Sequence, residues 1–355
     1  MNSKIKVVVV DDSAFMRKAI STMLKKDNDI EVAGIAKNGQ EGLDLVRKLD
    51  PDVVTLDIEM PVMDGLTALK RIMMEMPRPV IMVSSLTTEG AESTLKAMEY
   101  GAVDFIPKQL SKVSLDIVKI EKELQSKVKA VARKKAKISR LAALQRPRKV
   151  SRIKPAPAVS SGKPARDIVV IGVSTGGPPA VQKILTDLPG DFPGTIFIAQ
   201  HMPRAFTGPF ARRLNESTGL NVKEAQNGDL VRRGQVYIAQ GGMHLKINQM
   251  ISRIEVEVTD DPSDVLYKPS VNVLFSSAAK GVGSRALGVV LTGMGSDGLL
   301  GARDLKAGGG ILLAQSEETC VVYGMPKSVV DDGLADRIVD LEDMAATISS
   351  LIYEN

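Results

Sequence analysis

The sequence predicts a two-domain α/β protein: a five-stranded parallel sheet with helices on both faces, followed by a second, doubly wound and mostly parallel α/β domain. Short apolar runs alternate with amphipathic stretches of helical period through about residue 110, and the alternation resumes after residue 166. A basic stretch without acidic residues separates the two regions. The chain has 355 residues, which is more than one ordinary core accommodates.

The first domain is predicted from five apolar strands, each followed by a helical stretch. The helices are expected to begin near Ala14, Gly39, Leu66 and Thr88, with a fifth after Leu110. Parallel strands need such helical crossovers, and ligands normally sit at the carboxyl ends of the strands. The predicted strands are Ile5–Val10, Ile30–Ile35, Asp52–Asp57, Val80–Ser84 and Ala102–Pro107.

A basic connector is predicted between the domains. Apolar residues recur at helical spacing from Asp116 to Gln145, and the stretch from Ser126 to Arg166 holds fourteen Lys or Arg and no acidic residue. The rest of the chain is therefore acidic, with 33 basic against 42 acidic residues. The favoured interpretation is a solvated linker, and contact with an acidic partner or membrane surface is the alternative. The predicted domains are 1–125 and 166–355, joined by the linker 126–165.

The second domain is predicted from strands of the same apolar type. Helical stretches lie between several of them, which favours another doubly wound sheet. The predicted strands are Ile168–Val173, Thr195–Ala199, Gln235–Ala239, Arg253–Val258, Ala286–Leu291 and Gly310–Ala314.

The bulk composition is typical of a cytoplasmic protein. The apolar runs are far too short to span a bilayer, so no membrane insertion is expected, and the N-terminus does not resemble a signal peptide. The single cysteine, Cys320, cannot form an internal disulfide and is expected to be a small buried hydrophobe. Aromatic residues make up 3% of the chain and Trp is absent, which argues against nucleic-acid binding.

Acidic side chains end two strands of the first domain. Asp11 and Asp12 follow the first strand, Asp57 ends the third, and Lys108 follows the fifth. These strand ends converge on one edge of the sheet, where three carboxylates need a divalent cation to remain ionised together. Oxygen ligands suit Mg²⁺, and an ammonium would offset the remaining charge. The site therefore fits transfer of a phosphoryl group to Asp57.

The motifs VVVVDDS, VVTLDIEMPVMDG, MVSSLT and DFIPK resemble the receiver domain of two-component response regulators over about residues 4–123. The resemblance implies a flavodoxin-like fold, with Asp57 as the phospho-acceptor and Mg²⁺ held by Asp11, Asp12 and Asp57. It also implies a set of switch residues. These are the hydroxyl of Ser84, the aromatic ring of Phe105 and the ammonium of Lys108.

Three residues of the second domain suggest a serine hydrolase. Ser174 follows the strand Ile168–Val173 and precedes two glycines and a helix start, so its hydroxyl lies near backbone N–H groups able to hold an oxyanion. His201, one of two histidines, follows another strand, and Asp297 lies in a loop after a third. A nucleophile, a base and an orienting carboxylate are thus expected at one sheet edge. The other histidine, His244, is expected to have a structural or substrate-edge role.

Two further motifs suggest other sites in the second domain. The segment GVSTG fits the nucleophile elbow of α/β-hydrolases, but those enzymes place the acid before the histidine, and here Asp297 follows His201. The segment GMGSDG fits a dinucleotide-binding loop, but Asp297 inside it would repel a pyrophosphate. Neither motif outweighs the serine hydrolase.

The segments IGVSTGGP, AQHMP, YKPSVNVLFSSAA, VVLTGMGSDG and CVVYGMPKSVV resemble the chemotaxis protein-glutamate methylesterases of the CheB family. The resemblance implies hydrolysis of glutamate γ-methyl esters on chemoreceptors, deamidation of receptor glutamines, and a chemotaxis histidine kinase as phosphodonor. No cofactor is implied for the ester chemistry. By the same resemblance the oxyanion is held by the backbone N–H of Met294, with the Thr175 region as a second candidate and Thr175 as an auxiliary hydrogen-bonding residue.

Two other classes of function remain open from the sequence. A receiver with a basic tail is also found in phosphorylation-controlled DNA-binding regulators, although the second half has no helix-turn-helix pattern. A non-catalytic binding module on a hydrolase fold is the other, and the intact set of Ser174, His201 and Asp297 speaks against it. The domain order further suggests that the unphosphorylated receiver inhibits the hydrolase.

Overall fold

The computed structural model describes residues 4–108, 114–132 and 165–353. The chain forms two compact units, residues 1–154 and 155–355, and each is an α/β domain. Both predicted fold classes are confirmed. Among the described residues, each helix is too short or too polar to cross a bilayer.

The first unit is a parallel sheet of five strands in the order β2-β1-β3-β4-β5. Its core consists of apolar side chains from both faces of the sheet, and Val7, Val8 and Val9 on β1 are fully buried. The order reverses between β1 and β3, where Asp11 and Asp57 lie. The strands are β1 Ile5–Val10, β2 Ile30–Ala36, β3 Val53–Asp57, β4 Val80–Ser84 and β5 Asp104–Pro107. The helices are α1 Ala14–Lys25, α2 Gly39–Leu49, α3 Gly65–Glu75, α4 Thr88–Glu99 and α5 Ser114–Ala132.

Helix α5 extends past the predicted domain boundary at residue 125. Val128 and Val131 are fully buried, and Lys129 pairs with Asp27 at 2.5 Å, so this part of the predicted linker packs on the first unit. The rest of the predicted linker, and of the helical pattern that ran to residue 145, lies outside the described residues.

The second unit is a seven-stranded parallel sheet in the order β14-β13-β12-β6-β7-β9-β8, plus a separate antiparallel pair, β10 and β11. The chain enters at β6 in the middle and later returns to β12 on its other side, so a topological switch point lies between them. The strands are β6 Ile168–Val173, β7 Thr195–Gln200, β8 Asn221–Glu224, β9 Gln235–Ile238, β10 His244–Gln249, β11 Ile254–Thr259, β12 Ala286–Val290, β13 Ile311–Gln315 and β14 Arg337–Val339. The helices are α6 Gly177–Asp187, α7 Arg204–Ser217, α8 Val271–Val282, α9 Leu299–Ala307, α10 Met325–Asp331 and α11 Leu341–Tyr353.

Three strands of the second unit were not predicted. The strands β8 and β14 have four and three residues, too few for an apolar period, and β10 carries polar residues on one face. The predicted strand Arg253–Val258 is present as β11, but it pairs with β10 outside the main sheet. Cys320 is buried, as expected.

Candidate active site and phosphorylation site

The acidic residues predicted at the edge of the first sheet lie together. One carboxylate oxygen from each of Asp11, Asp12 and Asp57 falls within 4.8 Å of the others. Asp11 and Asp57 are buried and Asp12 is exposed, so the cluster opens to solvent on one side. Lys108 Nζ lies 2.6 Å from Asp57 Oδ2 and 3.2 Å from Asp11 Oδ2.

Burial dominates the electrostatics of this cluster. Burial is the main reason that the pKa of Asp57 is raised to about 6. The hydrogen bond from Lys108 lowers this pKa, and the negative charge of Asp11 raises it further. Burial also raises the pKa of Asp11. Burial alone would lower the pKa of Lys108, but its hydrogen bond to Asp57 and the charges of both carboxylates bring the net shift upward. A divalent cation bound between these two buried carboxylates would favour their ionised forms, so the cluster fits a metal site.

The backbone around Asp57 is built for close approach. A Cβ added at Gly65 would lie 1.9 Å from the Asp57 carbonyl oxygen, so only glycine fits there. The Gly65 N–H donates to the Ile58 carbonyl at 2.8 Å, which folds the loop after β3 back onto the strand end. The Ile58 N–H donates to Asp57 Oδ1 at 2.7 Å and fixes the direction of the carboxylate.

Of the predicted switch residues, Lys108 contacts the carboxylates, whereas Ser84 and Phe105 are buried and have other partners. The Ser84 hydroxyl donates to the Gly90 carbonyl at 3.2 Å, toward helix α4. Phe105 is buried, its carbonyl accepts a hydrogen bond from Lys127 Nζ at 2.8 Å, and the same ammonium lies 5.5 Å from its ring centroid. Sequence reasoning missed Lys127, since it lies in a stretch interpreted as linker. The side chains of Ser84 and Phe105 are thus both buried within the first unit.

In the second unit, Ser174 and His201 follow adjacent parallel strands. Val173 pairs with Gln200 at the ends of β6 and β7, and the His201 N–H donates to the Val173 carbonyl at 3.0 Å. The Ser174 N–H donates to the Thr292 carbonyl at 3.0 Å, which ties it to the loop after β12. Ser174 therefore lies at the switch point of the sheet and is only partly buried.

The imidazole of His201 is bonded to Asp297. Its Nε2 lies 2.8 Å from Asp297 Oδ2, and its Nδ1 is buried without a hydrogen-bond partner. An ionised carboxylate only accepts, so Nε2 carries the proton and Nδ1 keeps a lone pair. Among the described residues no hydrogen bond joins Ser174 to His201 Nδ1.

Asp297 is fixed by the beginning of helix α8. Its two oxygens accept hydrogen bonds from the Ser270 hydroxyl at 2.9 Å, the Val271 N–H at 2.7 Å and the Asn272 N–H at 3.1 Å. Burial on its own would raise the pKa of Asp297, but the bond to His201 and these backbone donors lower it overall. The lowered pKa favours the ionised carboxylate, and the donors hold it in one orientation. Both properties suit a group that orients an imidazole.

Sequence reasoning missed the aromatic partner of His201. The ring of Tyr267 stacks on the imidazole with centroids 4.2 Å apart and planes at 10°. A cavity of about 510 Å³ lies beside this pair, lined by Tyr267, Ser270 and Asp297. Leu266 and Leu300 also line it and are 83% and 59% exposed. Tyr267 lies in the YKPSVN segment, so its place in that segment was available as a hint.

The predicted oxyanion region lies around Ser174. Helix α6 starts at Gly177 after Gly176, whose φ of 77° is the left-handed conformation that favours glycine. Thr175 is buried, and its carbonyl accepts a hydrogen bond from the Thr292 hydroxyl at 2.9 Å. Met294 follows Gly293, where an added Cβ would meet the Ser174 Cβ at 2.9 Å. The loop that carries Met294 therefore touches the serine.

His244 lies apart from the three candidate catalytic residues. It is fully buried at the start of β10, and its Nδ1 accepts a hydrogen bond from the Ser270 N–H at 3.2 Å. Its Nε2 donates to the Pro262 carbonyl at 3.1 Å. The structural role expected from the sequence agrees with these contacts.

Comparison with known proteins identifies both units. The family model described as CheB methylesterase matches residues 169–348, and that of the response regulator receiver domain matches residues 7–118. A curated protein-glutamate methylesterase/protein-glutamine glutaminase from Oleidesulfovibrio alaskensis is 60% identical, covering 99% of this chain and all of its own length. One from Pyrococcus horikoshii is 42% identical, covering 98% of this chain and 94% of its own length.

The chain belongs to the CheB methylesterase family. The crystal structure of the Thermotoga maritima CheB methylesterase catalytic domain has a TM-score of 0.52 and 39% identity, and it covers 53% of this chain and all of its own. The predictions of a carboxylic-ester hydrolase and of a receiver domain are confirmed. The methylesterase match occupies the region where a DNA-binding domain would have to lie, which disfavours that alternative.

Proposed function

We propose that this chain is a phosphorylation-activated protein-glutamate methylesterase and protein-glutamine glutaminase, acting on methyl-accepting chemoreceptors for adaptation in chemotaxis. The observation that carries the catalytic part is the 2.8 Å bond between His201 Nε2 and Asp297, which leaves a buried Nδ1 at the strand end next to Ser174. The high identity to named methylesterase/glutaminases over the whole chain supports the substrate class. The proposed location is the cytoplasm.

The proposed reaction proceeds through an acyl-enzyme. The Ser174 hydroxyl attacks the ester carbonyl while its proton passes to His201 Nδ1, and the tetrahedral oxyanion is held by backbone N–H groups near Met294 and Thr175. Collapse expels methanol, which takes the proton from Nδ1. Water then attacks the acyl group and gives one proton to Nδ1. Collapse of the second tetrahedral intermediate breaks the bond to the Ser174 oxygen, which takes that proton back, and the glutamate side chain leaves as a carboxylic acid that ionises in solvent. In the glutaminase reaction ammonia leaves in place of methanol.

Asp297 supports both steps from its fixed position. The imidazolium that forms when Nδ1 takes the proton is stabilised by the carboxylate at Nε2, and the face of the ring is covered by Tyr267. The exposed leucines 266 and 300 on the cavity rim offer apolar contact to a protein substrate. A helix presenting an esterified glutamate fits such a surface.

The receiver site would hold Mg²⁺ through Asp11, Asp12 and Asp57. When bound, Mg²⁺ supplies positive charge to the oxygens of the transferring phosphoryl group. Asp57 provides the nucleophilic oxygen, and Lys108 neutralises charge on the acceptor side. A chemotaxis histidine kinase is the proposed phosphodonor. Phosphorylation is proposed to relieve inhibition of the second unit by the first.

Methanol release from a methylated chemoreceptor tests the catalytic proposal. Ser174→Ala is expected to lower the rate by at least about 10³-fold, because it removes the hydroxyl that forms the acyl-enzyme in the proposed reaction. Ser217→Ala, at the exposed end of helix α7, is the matched control and should behave as wild type. A Ser174→Ala protein that retains most of its methanol release would rule out this serine as the nucleophile.

A further inference from the structure

His244 is a buried side chain that the proposed reaction does not use. Both of its ring nitrogens are bonded, with Nδ1 accepting from the Ser270 N–H and Nε2 donating to the Pro262 carbonyl. These contacts bridge the two ends of the loop 262–270. A histidine that only filled space in the core would not need a donor and an acceptor in these two directions.

The loop 262–270, which His244 bridges, contains or directly precedes residues that contact His201 and Asp297. Tyr267, within the loop, stacks on the imidazole of His201. Ser270, at its end, donates its hydroxyl to Asp297, and the next two N–H groups, of residues 271 and 272, donate to the same carboxylate. One short segment thus determines the place of both the imidazole and the carboxylate.

We propose that His244 is a positioning residue of the esterase site: its bond to the Ser270 N–H sets the segment 267–272, and this segment aligns His201 with Asp297. The inference rests on the proposed function, because it assigns a catalytic purpose to the alignment. His244 touches neither substrate nor reacting atoms. Its effect passes through Ser270, whose N–H it accepts and whose hydroxyl reaches Asp297.

The arrangement requires a neutral imidazole at position 244. Protonation would place a hydrogen on Nδ1, which then could not accept from the Ser270 N–H. Burial lowers the pKa of His244, and the charges of Lys268 and Lys246 lower it further, against the Pro262 bond and the charge of Asp260. The environment therefore keeps the ring in the form that the bond to Ser270 needs.

Two conservative variants separate the two bonds of His244. Asn places an oxygen near the Nδ1 position and keeps the acceptor for Ser270, whereas Gln places an amide nitrogen near Nε2 and keeps only the donor to Pro262. His244→Asn is expected to retain kcat for methanol release from methylated receptor within about threefold. His244→Gln is expected to lower kcat by about ten- to a hundredfold with KM unchanged, since small misplacements of catalytic groups carry such costs. Ser270→Ala, which removes the hydroxyl from Asp297, should resemble His244→Gln.

A readout independent of activity is available because the chain has only two histidines. Nitrogen-15 spectra of the imidazoles report the tautomer, and the wild-type His201 should carry its proton on Nε2. In His244→Gln a mixture of the two His201 tautomers is expected, while His244→Asn should keep the wild-type pattern. Thermal unfolding of the full-length variants distinguishes misalignment from loss of fold.

The proposal is overturned if His244→Gln keeps both kcat and the His201 tautomer of the wild type. It is equally overturned if the Asn and Gln variants lose activity alike, in proportion to lost thermal stability. A wild-type chain that releases no methanol, yet shows the tautomer difference between the two variants, would reject the proposed function and leave the positioning role supported.

Discussion

Asp57 and Asp297 occupy comparable places in the two sheets but have opposite electrostatics. Each lies at a carboxyl edge beside a switch point, between β1 and β3 in the first unit and between β6 and β12 in the second. Both are nearly buried, at 2% and 8% exposure. Yet the pKa of Asp57 is raised to about 6, while the pKa of Asp297 is lowered. Burial alone does not decide whether a carboxylate stays ionised.

The difference lies in the hydrogen-bond donors. Asp57 accepts one backbone N–H, from Ile58, and the ammonium of Lys108 at 2.6 Å, but it also faces a second buried carboxylate, Asp11, whose charge raises its pKa. Asp297 accepts the bond from His201, which lowers its pKa most, and also the Ser270 hydroxyl and two N–H groups at the start of helix α8. The pKa of Asp57 is therefore raised by burial and by a neighbouring negative charge, whereas donors and the His201 imidazole outweigh burial at Asp297. This contrast agrees with the proposed roles, in which Asp57 accepts a phosphoryl group and Asp297 orients His201.

The largest expected effect comes from removing the negative charge of Asp297. Asp297→Asn should lower methanol release by about 10³- to 10⁴-fold, because an amide can turn its NH₂ to Nε2 and favour the wrong tautomer of His201. Asp304→Asn, at an exposed carboxylate on helix α9, is the control and should leave the rate unchanged. A loss of less than tenfold in Asp297→Asn would mean that the carboxylate does not orient the imidazole.

How far these sites could be predicted depends on how directly their residues follow strands. Asp57 ends β3, and Ser174 and His201 come directly after β6 and β7, so alternation of strands and helices was enough to bring them to an edge. Tyr267 and Ser270 lie in the loop that directly follows β11, a strand outside the main sheet. Their contacts depend on how the segment packs, which no local pattern specifies.

The orientation of the His201 ring was likewise beyond sequence analysis. The sequence predicts that Asp297 contacts His201, but which ring nitrogen it meets depends on the direction from which α8 approaches. The structure places Asp297 at Nε2 and leaves Nδ1 without a partner. The short strands β8 and β14 were missed for a different reason, because three or four residues are too few to show a period of two.

A second, intermediate effect tests whether phosphorylation of Asp57 raises the activity of the site that contains Asp297. With a small phosphodonor such as acetyl phosphate and Mg²⁺, wild-type methanol release should rise by roughly 5- to 150-fold, the usual range for coupling between two sites. Asp57→Asn should show no such rise, because the amide oxygen is a poor nucleophile for phosphorus. Asp44→Asn, at an exposed position on α2, should respond like wild type.

A fragment starting near Arg166 distinguishes inhibition by the receiver from direct activation. The crystallised Thermotoga maritima catalytic domain corresponds to about this region, which supports independent folding of the fragment. Under inhibition the fragment should release methanol faster than the unphosphorylated full chain. Equal rates would exclude an inhibitory receiver while leaving the Asp57→Asn result intact.

The smallest expected effect is on stability, and it follows from the raised pKa of Asp57. With a pKa of about 6 in the folded chain against 3.8, the unfolded chain loses this proton first, so the stability due to Asp57 falls as pH rises from about 4 to above 6. The change should be about 3 kcal/mol without Mg²⁺, because the shift from 3.8 to about 6, which already includes the effect of Lys108, is roughly two pKa units at about 1.36 kcal/mol each.

Urea unfolding followed by circular dichroism at pH 4.5 and 7.5 measures this contribution as a difference between proteins. Asp57→Asn should be more stable than wild type at pH 7.5 and about equal to it at pH 4.5, whereas Asp44→Asn should follow wild type at both. Adding Mg²⁺ at pH 7.5 should stabilise wild type more than Asp57→Asn, since the cation removes the repulsion between Asp11 and Asp57. Equal stability of wild type and Asp57→Asn at pH 7.5 would show that this carboxylate is as well supplied with donors as Asp297, and the contrast between the two sites would fail.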